Sequence, residues 1–415
     1  MVLKHSLIQK LITCASIPIL AILLIFNLRR MLFTFTILFI SPRNKDPEKS
    51  PINLKDLPNV LVLVSCRNES KIIHGLCQAI SQLDYPPEKH QVVLINDGST
   101  DGTVERMEQQ AEGKPGWNVL NLPNSIGKAS ALNAALKQFP FGEIVYIFDA
   151  DHRPEPDSLK RAVRHFEDPQ VAGVSGLTIP SNPLASPSAY YSMVENHVHR
   201  MITMRAKDRF DLAPALLGSN CGYRRTTLKE CGGFRDGALL EDSDLTLAFY
   251  RAGYRVRFAE DAVARHQVPE TIRGYLMQHI RWSRGFNDIS NQHSIGLLRD
   301  RRLSLPHRIE LFLFSVGYLD RIAMAGAAAL TILAYLFEKT FRFPWQVLSL
   351  ALLTPLAQIL ILFAEQRMPV GMWLRLPFIP VFYALDIFAA VKGMLDSLSR
   401  RRPTWEKTER SPKIE

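Results

Sequence analysis

The chain has 415 residues, 47% of them apolar, and a formal charge of +10 at neutral pH. That length accommodates one large α/β domain plus membrane segments. The basic excess comes with no recognisable nucleic-acid module, so nucleic acid is not an expected partner. It flanks apolar runs instead, at Lys4, Lys10, Arg29, Arg30 and Arg400 to Arg402, as suits membrane lipids at an anionic cytoplasmic face.

Residues 1–40 read as an N-terminal membrane anchor. Leu11 to Phe26 forms the core of a membrane helix, and Met31 to Ile40 reads as a further span or an interfacial helix. No small-x-small cleavage site follows, which favours a retained anchor. Residues 41–57, with Pro42, Pro47 and Pro51, read as a linker. Residues 58–301 alternate strand and helix signals. The expected strands are Val60–Ser65, Gln91–Asn96, Asn118–Leu122 and Glu143–Phe148. Between them lie helical stretches at Lys71–Leu83, Gly102–Ala111 and Lys128–Lys137. This alternation predicts an α/β domain with a parallel, Rossmann-like doubly wound sheet and right-handed crossovers.

Residues 302–320 read as an interfacial helix and residues 321–399 as C-terminal transmembrane segments. The candidate spans are Ile322–Phe337, Trp345–Ala364 and Met372–Leu395, the last weakened by Asp386 and Lys392. Residues 400–415 form a basic tail that argues for a cytoplasmic C-terminus. A catalytic domain on the same side demands an even number of intervening spans, which three candidates break. The five cysteines show neither zinc spacing nor a secreted disulfide framework, and reduced thiols are expected.

The chemistry-bearing residues cluster at strand ends. Asp149-Ala150-Asp151 closes the apolar run Glu143 to Phe148, and buried parallel strands end at the ligand-binding edge. Two carboxylates one residue apart there can hold a hard divalent cation against a diphosphate; two solvated loop acids are the alternative. The first strand ends at Ser65-Cys66-Arg67-Asn68-Glu69. The second ends at Asn96-Asp97-Gly98-Ser99-Thr100-Asp101-Gly102. There Asp97 reads equally as a partner for a uracil N–H or ribose hydroxyl and as part of a turn-and-cap cluster. Gly127-Lys128 offers close backbone approach and an ammonium for a phosphate, without P-loop spacing. Glu241-Asp242-Ser243-Asp244 opens a helix expected over Asp244–Ala252. One of its acids can serve as general base while its neighbours favour the helix N-terminus. Gln278 and Arg281 share a helix face, with Trp282 adjacent. An indole suits stacking on a sugar and a guanidinium suits a diphosphate oxygen, whereas the alternative is a Trp-Arg anchor in lipid. Taken in this order, the motifs point to sugar transfer from a nucleotide donor.

Asp97, Asp149-Ala150-Asp151-His152, Glu241-Asp242 and Gln278-x-x-Arg281-Trp282, with the flanking apolar runs, resemble the membrane-embedded family 2 glycosyltransferases. These include cellulose, chitin, hyaluronan and poly-N-acetylglucosamine synthases and some glycolipid glucosyltransferases. The resemblance implies a GT-A fold, a UDP-sugar donor, Mg2+ or Mn2+, and inversion to a β-linkage. It implies donor binding by Asn68, Glu69, Asp97, Lys128 and Asp149, and metal ligation by Asp149 and Asp151. Asp242 becomes the base, and Gln278, Arg281 and Trp282 bind the acceptor end and the diphosphate. The expected enzyme is a metal-dependent hexosyltransferase in the plasma or inner membrane, with its catalytic domain cytoplasmic. Its acceptor is a growing β-linked glycan or, alternatively, a membrane lipid. In one departure, the first strand ends Ser-Cys-Arg-Asn-Glu, where the family more often has Pro and then an aromatic residue or His before Asn-Glu.

Overall fold

The computed structural model describes residues 2–39, 57–338 and 345–399. The expected linker, apart from Leu57, and the basic tail lie outside the described residues. The chain opens with α1 (Val2–Phe39), a helix of 38 residues. It runs unbroken through Arg29 and Arg30, so the second apolar run is not a separate element as expected. The two arginines are absorbed rather than helix-ending, because each finds a carboxylate partner: Arg29 pairs with Glu310 and Arg30 with Asp320.

The α/β domain follows as β1 (Val60–Cys66), α2 (Ile73–Ser81), β2 (His90–Asp97), α3 (Thr103–Ala111), β3 (Trp117–Leu122), α4 (Lys128–Gln138) and β4 (Ile144–Asp149). Then come β5 (Arg153–Pro154), α5 (Ser158–Val163), β6 (Val171–Pro180), α6 (Pro187–Val198), α7 (Arg205–Arg209), β7 (Cys221–Arg224), α8 (Arg225–Glu230), α9 (Glu241–Arg251) and β8 (Arg255–His266). The 28-residue α10 (Ile272–Arg299) leads to α11 (Leu305–Ser315), α12 (Leu319–Glu338), α13 (Trp345–Glu365), α14 (Val370–Trp373) and α15 (Ile379–Leu398).

One eight-stranded sheet carries the order β3-β2-β1-β4-β7-β6-β8-β5. The first four strands are parallel, as expected, while β7 runs antiparallel to β4 and to β6. Side-chain alternation divides the parallel strands between two cores. Leu61, Leu63, Val93, Ile95, Val145 and Ile147 pack with α4 and α9 on one face. Val60, Val62, Val64, Leu94, Tyr146 and Phe148 pack with α2, α3 and α5 on the other. Burial on both faces is why these strands read as continuous apolar runs. Each such side chain contributes about 1.5–3 kcal/mol on burial.

The chain passes from β1 outward to β2 and β3, then returns to place β4 on the other side of β1. That reversal is a topological switch point, and ligands of open α/β sheets bind there, beyond the carboxyl ends. The register sets Ser65 beside Asp149. The expected site residues after β1, β2 and β4 therefore emerge at one sheet edge.

Among the described residues, three segments are long and apolar enough to cross a membrane: Lys10–Phe39, Leu319–Phe337 and Val370–Leu398. The described apolar part of α13, Ala351–Glu365, is shorter. The interfacial stretch expected over 302–320 holds α11 and then the start of α12. There Glu310 and Asp320 are buried by their arginine partners.

Candidate active site

At the end of β1, Asn68 adopts φ 58°, a left-handed conformation that asparagine tolerates. Its Oδ1 accepts from Thr100 N–H at 2.7 Å, and its own N–H donates to Ser99 Oγ at 2.9 Å. Glu69 N–H donates to Thr103 Oγ1 at 2.8 Å. These bonds fasten the turn after β1 to the turn after β2. Buried Asp97 faces the other way: its carboxylate accepts from Ile126 N–H at 2.7 Å, Ser125 Oγ–H at 2.9 Å and Gly127 N–H at 3.1 Å. Asp97 thus orders the loop that launches α4 and aims Lys128.

Lys128 is the hub of the cleft. Its Nζ lies 3.0 Å from Asp149 Oδ1, 3.1 Å from Glu241 Oε1 and 3.0 Å from the Gly218 carbonyl oxygen. Burial works to lower its pKa, but the carboxylates of Asp149 and Glu241 outweigh that and raise it. The same contacts act on Asp149. Burial raises its carboxyl, and the charges of Lys128 and His152 overcome this to leave it below the usual range.

β4 ends at Asp149, and Ala150-Asp151 already turns. Alternation along a strand would put both carboxylates on one side, but the strand has ended before Asp151, and it is the turn that brings them together. Ligand atoms of Asp149, Asp151 and His152 all lie within 4.8 Å of one another. Arg153 braces this turn by donating to Ala150 O at 3.2 Å, His152 O at 2.8 Å and Ile72 O at 3.0 Å.

The loop before β7 closes the cleft, and sequence reasoning missed it. Ser219 Oγ accepts from Asp149 N–H at 2.7 Å. Asn220 anchors the loop to Leu177 O and Ala262 O at 3.0 and 2.9 Å. Gly218 has φ +79°, and a Cβ there would stand 3.0 Å from Asp242 Oδ2. The Gly-Ser-Asn cluster at 218–220 was the available signal, since such residues fill turns with special backbone angles.

α9 begins at Glu241, three residues earlier than expected, so both acids lie in its first turn. The N-cap, Leu240, makes no side-chain capping bond. Burial and the Glu241 charge push the Asp242 carboxyl up to about 7, against the pull of Lys128. That range suits a general base working near neutrality. Asp244 is engaged elsewhere, 3.0 Å from Arg235 Nε and 2.9 Å from His293 Nε2, which ties α9 to α10. Those two partners hold its carboxyl below the usual range despite burial.

α10 crosses over the start of α9. A Cβ at Gly285 would lie 2.5 Å from Leu240 Cγ, and Trp282 packs against the core that contains Leu240. Gln278 and Trp282 are half-buried and Arg281 is exposed; neither Gln278 nor Arg281 has a side-chain hydrogen bond or ion pair among the described residues. The structure thus gathers Asp149, Asp151, Lys128, Glu241 and Asp242 in one cleft, with α10 packed on the segment that carries Asp242.

Residues 58–285 match the family described as Glycosyltransferase like family 2. The probable glycosyltransferase YdaM of Bacillus subtilis is 29% identical over 240 residues, 56% of this chain and 56% of that protein. The poly-beta-1,6-N-acetyl-D-glucosamine synthase of Staphylococcus aureus is 26% identical over 267 residues, 63% of this chain and 62% of that protein. The chain thus matches little more than half the length of these relatives. Among solved structures, a mannosyltransferase from Pyrobaculum calidifontis in complex with GDP-Man and Mn2+ superposes with a TM-score of 0.66 at 24% identity. That likeness covers 96% of this chain and 99% of the other, and it shows a shared fold.

Proposed function

The chain belongs to glycosyltransferase family 2, and from that premise we propose an inverting hexosyltransferase that passes a hexose from a UDP-sugar to a growing β-linked glycan at the membrane. The observation that carries this reading is the Lys128 ammonium between Asp149 and Glu241, which joins the metal-type acids and the base-type acids in one cleft. Asp149 and Asp151 offer hard carboxylate oxygens in a donor set compact enough for Mg2+ or Mn2+. Such an ion, when bound, offsets negative charge on the leaving nucleoside diphosphate.

The chain's own groups do the rest. Asp242 takes the proton of the acceptor hydroxyl as its oxygen bonds to the anomeric carbon and the bond to the diphosphate breaks. A single displacement of this kind inverts the configuration. Lys128 presents its ammonium to the diphosphate. Asn68, Glu69 and Asp97 shape the donor pocket through the turns they fasten, and Asp97 is the proposed partner of the nucleoside. Arg281, exposed and unpaired, meets a diphosphate oxygen, while Gln278 and the Trp282 indole receive the acceptor.

Transfer of one hexose to a membrane lipid is the second reading. It draws support from the packing of α10, which carries the acceptor residues, directly on the apolar helix α15. The catalytic domain faces the cytoplasm in both readings, where nucleotide sugars are made. Purified protein screened against UDP-glucose, UDP-N-acetylglucosamine, UDP-galactose and GDP-mannose, with product sizing, tests them. A polymer supports the first reading and a single addition the second; absence of nucleotide release with every donor refutes both.

A further inference from the structure

α10 has two neighbouring working faces. Successive residues turn by about 100° around a helix, so Tyr275, His279 and Ser283 form one stripe and Gln278, Trp282 and Gly285 the next. The second stripe meets Leu239 and Leu240, immediately before Glu241-Asp242. The first meets α15: Ser283 Oγ–H donates to Ala390 O at 3.0 Å, and Ser397 Oγ–H farther along donates to Asp288 at 3.0 Å.

At the centre of that contact the buried His279 imidazole lies between two carboxylates. Nε2 is 3.3 Å from Glu195 Oε2 on α6, and Nδ1 is 3.2 Å from Asp386 Oδ1 on α15. Asp386 also accepts from Tyr191 Oη–H at 3.0 Å and from Tyr275 Oη–H. Arg321 on α12 stands 3.7 Å from Glu195 and 3.8 Å from Asp386, and it contacts Asp320, the partner of Arg30 on α1. The His279 ring touches the Trp282 ring edge-on, with centroids 4.9 Å apart.

Ligand atoms of Glu195, His279 and Asp386 lie within 4.8 Å of one another, a spacing a divalent cation accepts. The charges argue against an ion. Burial, then Asp386, raise the Glu195 carboxyl to about 8 against the pull of Arg321, while burial holds His279 down at about 4. Arg321, 3.7 Å from Glu195 and 3.8 Å from Asp386, already supplies a cation to these carboxylates, and a divalent ion would meet its charge in a buried site.

We propose that His279, braced by Glu195 on α6 and Asp386 on α15, is a positioning residue that sets the roll of α10 and thereby the placement of Gln278 and Trp282 for the acceptor. The membrane helices α12 and α15 thus hold the acceptor end of the cleft, while the donor end is held by the sheet. The inference rests on the acceptor role given above to Gln278 and Trp282.

The test uses the full chain in detergent with 5-fluorotryptophan, the Trp282 fluorine resonance being assigned through Trp282→Phe. Asp386→Asn leaves every residue of α10 in place, and His279→Phe keeps the ring volume without the polar contacts. Both variants are expected to shift or broaden the Trp282 resonance. With UDP-N-acetylglucosamine as donor and a β-linked N-acetylglucosamine oligosaccharide as acceptor probe, acceptor KM should rise about tenfold while donor KM changes less than about twofold. An unmoved Trp282 resonance in Asp386→Asn overturns the proposal, as does an equal rise in both KM values. Failure of the unaltered protein to use any screened donor refutes the proposed reaction, and the fluorine readout still decides the positioning role.

Discussion

Lys128→Met removes an ammonium while keeping most of the side chain's length, and its consequence for Asp242 can be worked out. Lys128 Nζ and Asp242 Oδ2 lie 3.8 and 3.0 Å from the point where a Cβ on Gly218 would stand. Their separation is therefore at most roughly 7 Å, and at that limit an effective dielectric of about 20 gives an attraction of about 2.4 kcal/mol. The Lys128 side chain is 31% exposed, and screening by that solvent reduces the figure to about 1.2 kcal/mol, close to a factor of ten in proton affinity. In the intact protein burial and Glu241 raise the Asp242 carboxyl to about 7 while Lys128 pulls it down. Loss of Lys128 removes the downward pull. A base acts only when ionised, so activity rises with pH through this carboxyl, and the variant's rise comes about one pH unit later. The pH profile of kcat/KM for nucleotide release is the assay. A rise at the same pH as the unaltered protein, or at a lower one, refutes the account of Lys128 as the cation that keeps Asp242 ionised.

Asp242→Asn keeps an oxygen for the Ser243 N–H that Asp242 accepts at 2.7 Å but cannot take a proton. Single-turnover transfer should fall about 10²–10⁴-fold with donor affinity retained in equilibrium binding. Asp149→Asn removes one hard oxygen and one Lys128 partner; Mn2+ binding followed by electron paramagnetic resonance should weaken, with unchanged helical circular dichroism. Gly285→Ala places a methyl 2.5 Å from Leu240 Cγ. It should cost about 1–3 kcal/mol in thermal or denaturant unfolding through overpacking, and it should lower turnover more than donor affinity because Leu240 adjoins Glu241.

The parallel half of the sheet was legible because β1, β2 and β4 are buried on both faces and so appear as short apolar runs bounded by turn residues. The mixed half, in which β6 and β8 pair in parallel while β7 and β5 run antiparallel, was not. β6 contains Gly173, Ser175, Gly176 and Thr178, and β8 alternates Arg255, Arg257, Glu260 and Asp261 with apolar residues. The glycines and hydroxyls of β6 break up its apolar run, and the adjacent Glu260 and Asp261 break the alternation of β8. At the site, the residue types at the strand ends were readable, but their partners were not. Asp97 reaches across about thirty positions to the 125–127 loop, and Lys128 joins Asp149 to Glu241 across more than a hundred. Such pairings come from the crossover that returns β4 beside β1, which no local pattern encodes. Arg29 and Arg30 were misleading for the same reason: in sequence they interrupt an apolar helix, and in space they are matched by Glu310 and Asp320.

That match has a geometric consequence for α1. Beyond Arg29 the helix rests on the α/β domain, with Phe33 buried against Ile202 and Ala206. The arginine–carboxylate pairs work as a lengthwise stop, Arg29 meeting Glu310 on α11 and Arg30 meeting Asp320 at the start of α12. Helices far apart in sequence are thereby locked in register. Sliding α1 by a single turn, about 5.4 Å, would part both pairs. The domain that carries the cleft is consequently held at one height along α1.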